Sequence, residues 1–110
     1  MQHNNEIFLD IKRKPVSRGD FVMYPVNTFL RFAVVSNVRS ENILSVKYVR
    51  YINELLENSV LGRQTVSRHQ RSIVKITGEE LFEYIGEKYY DYMKSLSNTI
   101  KFPVNAAKIL

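Results

Sequence analysis

Leu30 to Tyr51 reads LRFAVVSNVRSENILSVKYVRY. Leu30–Val38 and Ile43–Tyr51 are both rich in β-branched and aromatic residues, and Ser40-Glu41-Asn42 between them supplies turn chemistry. The stretch therefore predicts an antiparallel hairpin. Toward the N-terminus the period of two continues. Glu6–Lys12 alternates strictly, with Ile7, Leu9 and Ile11 on one side and Glu6, Phe8, Asp10 and Lys12 on the other. That predicts a half-buried strand, broken by Lys12-Arg13-Lys14-Pro15. Ser17-Arg18-Gly19-Asp20 is a turn signal leading into a short strand, Phe21-Val22-Met23-Tyr24, stopped by Pro25.

Toward the C-terminus, Ile52–Leu61 departs from the β pattern. Ile52, Leu55, Leu56 and Val60 recur at helical spacing, so a short helical insertion ended by Gly62 is expected. Two extended pieces follow, Gln64–Ser67 and Ser72–Ile76, on either side of a tight turn at Arg68-His69-Gln70-Arg71. At Thr77 the periodicity changes to that of a helix, and Thr77-Gly78-Glu79-Glu80 fits a capping box. This helix should run to about Leu96, with Leu81, Ile85, Tyr89, Tyr92, Met93 and Leu96 forming the stripe that packs on the sheet and closes one end of it. Gly86 inside it is expected to mark close contact with the sheet, and Ser97–Leu110 to run extended.

A chain of 110 residues, 45% apolar, supports one domain with a real core. The elements give an α+β domain in three parts. Residues 1–17 form an N-terminal strand and basic arm, 18–76 a small bent β-barrel of about five strands with a helical insertion near 52–61, and 77–110 a helix and tail. Gly19-Asp20-Phe21-Val22-Met23-Tyr24, the following hairpin and the closing run Val66–Ile76 resemble, in layout, SH3-like small barrels of the Tudor and KOW type. In those folds a Gly-Asp opens the first strand and a short 3₁₀ turn precedes the last. The resemblance covers residues 18–76 and implies the fold. It implies no site, because Phe29-Leu30-Arg31-Phe32-Ala33 stands where a KOW motif carries its glycine and lysine, and alternation places Phe32 and Tyr48 of any aromatic cage in the core.

The charge is unevenly placed. Residues 1–76 carry twelve Lys and Arg against six acids, a net +6, and residues 77–110 carry four against five, a net −1, so all of the excess positive charge belongs to the β-rich part. A basic barrel points to a polyanion, DNA more than RNA, bound through phosphates without a recognition helix. Lys12, Arg13, Lys14, Arg39, Lys47, Arg50, Arg68 and Arg71 are the candidate nucleic-acid-binding residues, on the assumption that the fold brings them to one surface. Tyr24 and Tyr51, at strand ends, are the candidate exposed aromatics, and His69 caps a turn or meets phosphate. The alternative function is protein interaction, through the barrel or through the helix with a partner or a second copy of the chain. Zero Cys and two separated His leave no disulfide, thiolate metal site or catalytic triad, so no enzyme and no cofactor are expected. No membrane span or signal peptide is visible either, and an intracellular, cytoplasmic protein is expected.

Overall fold

The structure, a computed structural model, describes residues 7–49 and 61–102. Its elements are β1 (Phe8–Leu9), β2 (Pro15–Val16), β3 (Phe21–Val26), β4 (Phe29–Val38), β5 (Ile43–Val49), β6 (Leu61–Ser67), β7 (Val74–Ile76) and α1 (Gly78–Lys101). β1 and β2 pair as a small arm, and the other strands form a five-stranded antiparallel sheet in the order β6-β5-β4-β3-β7. With α1 the architecture is α+β. The hairpin read from Leu30–Tyr51 is β4 and β5; the predicted insertion at 52–60 lies outside the described residues.

Each face of the sheet packs against a different partner. On one face Val22 and Tyr24 of β3, Ala33 and Val35 of β4, and Leu44 and Val46 of β5 form a core with Phe8 and Val16 of the arm. The other face, bearing Val34, Val49 and Ile76, packs against Leu81, Met93 and Ile100 of α1. The helix thus covers a face of the sheet; it does not close an end. The sheet is also strongly curved. β4 and β5 separate β3 from β6, which in a flat sheet puts them about 14 Å apart. Yet the Tyr24 hydroxyl of β3 donates to Gln64 Oε1 of β6 at 2.7 Å. That contact lies on the arm side, which is therefore concave.

Several expectations need correction. Pro25 does not stop β3. The strand continues to Val26, and Asn27-Thr28 makes a two-residue turn into β4, with Asn27 at φ 53°. Proline is tolerated there because β7 pairs only with Phe21, Val22 and Met23, leaving Pro25 beyond the end of that ladder. In the arm the buried side is the opposite of the predicted one: Phe8 is fully buried and Asp10 nearly so, while Ile7 and Ile11 are 59% and 58% exposed. Gly62 lies inside β6 and ends no helix. It sits opposite Tyr48, and a Cβ there would come within 2.4 Å of the Tyr48 ring.

The capping box at Thr77 is present, with the Thr77 hydroxyl accepting from the Glu80 amide and the Glu80 carboxylate accepting from the Thr77 amide. The helix runs five residues past Leu96, because Ser97 and Ile100 continue its buried stripe. The Gly19 turn receives that end: Ser97 Oγ donates to the Gly19 carbonyl, and Arg18 donates to the Ile100 carbonyl, a cation on the negative end of the helix. Gly86 touches no sheet residue. It is exposed at φ 86°, ψ 167°, a non-helical joint that divides α1 into two helical segments.

Candidate nucleic-acid interface

The basic turn of the arm owes its shape to one carboxylate. Asp10 Oδ1 accepts from the amides of Lys12 and Lys14, each at 2.8 Å, and Oδ2 accepts from the Lys75 amide of β7 at 2.8 Å. Burial alone would raise its pKa. The three amides, together with the Lys14 charge, outweigh that and hold it below the ordinary carboxylate value. Arg13, at the apex, adopts φ 65°. All three side chains, Lys12, Arg13 and Lys14, are exposed and make no hydrogen bond or ion pair among the described residues.

Arg68 and Arg71 join this group. The turn forms as predicted, with the Gln70 and Arg71 amides donating to the Ser67 carbonyl, and His69 is held by its own amide to Ser67 Oγ. Arg68 and Arg71 line a cleft with Leu9, Asp10 and Ile11, next in the chain to Lys12. Arg71 Nη1 also donates to the Pro25 carbonyl at 3.1 Å.

Arg39 and Lys47 stand elsewhere. Lys47 pairs with Val34 of β4 and Arg63 of β6, so it and Arg63 share the convex, helix-side face, directly opposite each other. Arg39 reaches the same face through a β-bulge. Val35 pairs with Val46 but Asn37 pairs with Ser45, leaving Ser36 as the extra residue. The extra residue reverses the alternation beyond it, so that Val38 turns to the arm-side core while Arg39 turns outward and donates to Ser45 Oγ at 3.3 Å. Arg39 and Arg63 line a shallow cleft with Ser36, Ser45 and Thr65. The eight predicted residues therefore divide: Lys12, Arg13, Lys14, Arg68 and Arg71 on the arm side, Arg39 and Lys47 on the convex side. Arg50 lies outside the described residues.

Arg63 is the functional candidate that the sequence reading passed over. Reading Gly62 as a helix terminator started the strand at Gln64 and hid its first three residues, and with them the register that sets Arg63 against Lys47.

Tyr24, expected at an exposed strand end, is 1% exposed. Burial raises its hydroxyl to a pKa of about 12, against the opposing charges of Arg31 and Arg71. Arg31 lies 3.9 Å above the Tyr48 ring centroid and shares Gln64 Oε1 with Tyr24, at 2.8 Å. The face of the Tyr48 ring is thus occupied by the protein's own guanidinium. Tyr51 lies outside the described residues.

No family model, curated protein or solved structure matches this chain. Among the described residues there is no group of three His, Cys, Asp or Glu placed to hold a metal ion, and no helix is long and apolar enough to cross a membrane.

Proposed function

We propose that this chain is a non-catalytic nucleic-acid-binding protein, built on an SH3-like bent barrel, that holds double-stranded DNA through its phosphates. The fold part of the proposal draws support from the curvature and from the β6–β7 connection. β6 and β7 are the two edges of the sheet, yet the residues joining them spend half their length in a tight turn.

One observation carries the functional part. The described residues from Ile7 to Thr77 include eleven Lys and Arg but three carboxylates, and two of those three are already engaged. Asp10 is held by backbone amides, and Asp20 accepts from the Ser17 amide and pairs with Lys75 at 3.4 Å. That ion pair is the one found among the described residues, so the other bases of this part have no carboxylate partner there, and seven of them, Lys12, Arg13, Lys14, Arg18, Arg39, Arg63 and Arg68, are exposed. Such a surface gains affinity by replacing the counterions of a phosphate backbone.

A mobility-shift series on duplex DNA at increasing salt tests this. Binding should weaken steeply with salt, and the double substitution Arg68→Glu, Arg71→Glu should weaken it far more than Lys88→Glu, Lys94→Glu on α1. Absence of a shift at low salt would overturn the reading.

A second reading is favoured by a specific feature, an apolar groove between β4 and α1 lined by Phe29, Leu30, Phe32, Ile85, Tyr89 and Met93. Phe29 and Leu30 are about half exposed. In this reading the groove docks a protein partner, and a pull-down after nuclease treatment should then retain that partner.

A further inference from the structure

The arm has an apolar outer face. Leu9 and Pro15 pair across its two strands, so they share the side opposite the buried pair Phe8 and Val16. Ile7 and Ile11 flank Leu9 at the period of two, and both are more than half exposed. A contiguous apolar patch with a polar rim marks an interaction surface. Here the rim is cationic. Lys12, Arg13 and Lys14 follow Ile11 in the turn, and Arg68 and Arg71 line the cleft that Leu9 and Ile11 share. The one carboxylate among these residues, Asp10, is buried and turned to three backbone amides. The tip is braced further: the Ile11 amide donates to the Ile73 carbonyl at 3.0 Å, and the Arg13 amide to the Asp10 carbonyl at 2.9 Å.

From this arrangement we infer that the arm is a wedge: Ile11 enters a base step of the bound duplex from the minor groove, and the duplex kinks there. The inference rests on the reading of the protein as a duplex binder and adds the manner of contact. A surface that met phosphates alone would have no use for aliphatic side chains in its midst, because a phosphate oxygen holds water that an isoleucine cannot replace. Between base pairs the same side chain takes the place of the stacking lost at the step, while the neighbouring Lys and Arg hold the phosphates on either side. Five cations without a facing carboxylate favour a polyanion over an ordinary protein surface. A rigid tip is needed too, since a wedge that yields does not open a stack. The basic groups of the two faces meet at the β4–β5 turn, where the Arg68 amide donates to the Asn42 carbonyl and the Arg39 amide to the Ile43 carbonyl, both at 3.0 Å. A duplex kinked at the arm therefore gains phosphate contacts along one continuous path, which offsets the unstacking.

The test is ligase-catalysed circularisation of a duplex of about 100 bp, shorter than the persistence length of about 150 bp and therefore slow to close unless it is bent. At low salt, where phosphate contacts saturate the duplex, the full-length wild type should raise the yield of single-duplex circles at least about tenfold. Filling the minor groove with an oligopyrrole ligand should remove the gain. Ile11→Ser should still shift the duplex at low salt, more weakly than wild type, and should lose the circles. Its melting temperature should match wild type, because the side chain it alters is exposed. Phe102→Ser alters an equally exposed apolar residue at the end of α1, and should form circles as wild type does.

If wild type shifts a duplex but yields no more circles than ligase alone, the wedge fails while the binding function stands. A gain undiminished by the oligopyrrole, equal yields from I11S and wild type, or an equal loss in F102S would also overturn it. So would loss of all binding by I11S at low salt, which would make Ile11 an anchor of the whole complex. Retention of wild type but not I11S on phosphatidylserine vesicles, with the duplex left unbent, would assign the apolar face to a lipid surface instead. If wild type shifts no duplex at all, the underlying reading fails first.

Discussion

Asp10 shows how one side chain can invert the reading of a strand. Alternation alone puts Ile7, Leu9 and Ile11 inside, and the structure puts Phe8 and Asp10 there, because a carboxylate that receives three amides is a satisfied group and can be buried. Those amides come from the arm turn and from β7, contacts that no local pattern reveals. Asp10→Asn keeps the shape but offers one acceptor oxygen and an NH₂ that meets an amide donor. It should cost about 1–3 kcal/mol by chemical denaturation. The pH dependence has a definite sign. Because the folded-state pKa is lowered, the carboxylate stabilises the fold above its unfolded value, near 3.9, and that contribution is lost as pH falls through the folded value. In melts carried down to pH 2, a scale set by those values, wild type should therefore lose its advantage over the variant. Tyr24 gives the opposite window. Its pKa is raised to about 12, so its contribution is complete below about pH 10, the ordinary tyrosine value, and disappears as pH rises from there toward 12. Tyr24→Phe should flatten the alkaline limb of the melting profile; an unchanged limb would mean that Tyr24 is not buried in solution.

At the scale of elements, the strong periodic runs were legible and the irregular joints were not. The hairpin of β4 and β5 follows from two β-branched runs about a turn, and the start of α1 from a capping box whose partners are three residues apart in sequence. The bulge at Ser36 and the breaks in expectation at Pro25, Gly62 and Gly86 depend on what lies across the ladder or beside the helix. A proline is a stop only if its missing N–H would have had a partner, and Gly62 is a strand residue because it pairs with Tyr48 across the ladder. Gly86 supplies a clean test. Its φ of 86° with ψ of 167° is a region essentially closed to L residues, while a Cβ there would meet nothing within 4 Å, so the cost of Gly86→Ala is purely conformational. That cost should be about 1–3 kcal/mol, read as a fall in Tm of roughly 5–15 °C. A D-alanine placed there by semisynthesis has the mirror-image preference and should restore most of the loss. If Gly86→Ala instead melts above wild type and the D-alanine variant below it, α1 is a straight helix in solution and its first turns pack differently.

Over the whole molecule, what composition supplied was the sign of the surface; what it could not supply was where the charge lies. Seven of the eight bases named from the sequence on the expectation of one patch, all but Arg50, which lies outside the described residues, are divided by the sheet between two faces, because register and a single bulge residue, not nearness in the chain, decide which side Arg39 and Lys47 occupy. Arg63 is the residue where this division is most exposed to measurement, since stability and binding make opposite demands on it. It stands directly across from Lys47, with no carboxylate to pair either of them among the described residues. A cross-strand pair of like charges is destabilising by a fraction of a kcal/mol, so Arg63→Gln should raise Tm by about 1–5 °C, and the gain should shrink as added salt screens the repulsion. The same substitution should weaken duplex binding and reduce the salt slope of the affinity by about 1, the loss of one phosphate contact. A residue serving only the fold would show the reverse, a lower Tm with binding unchanged, and that outcome would remove the convex face from the proposed interface. A rise in Tm together with a shallower salt slope would mean that the repulsion between Lys47 and Arg63 is kept because the phosphate they share is the group that relieves it.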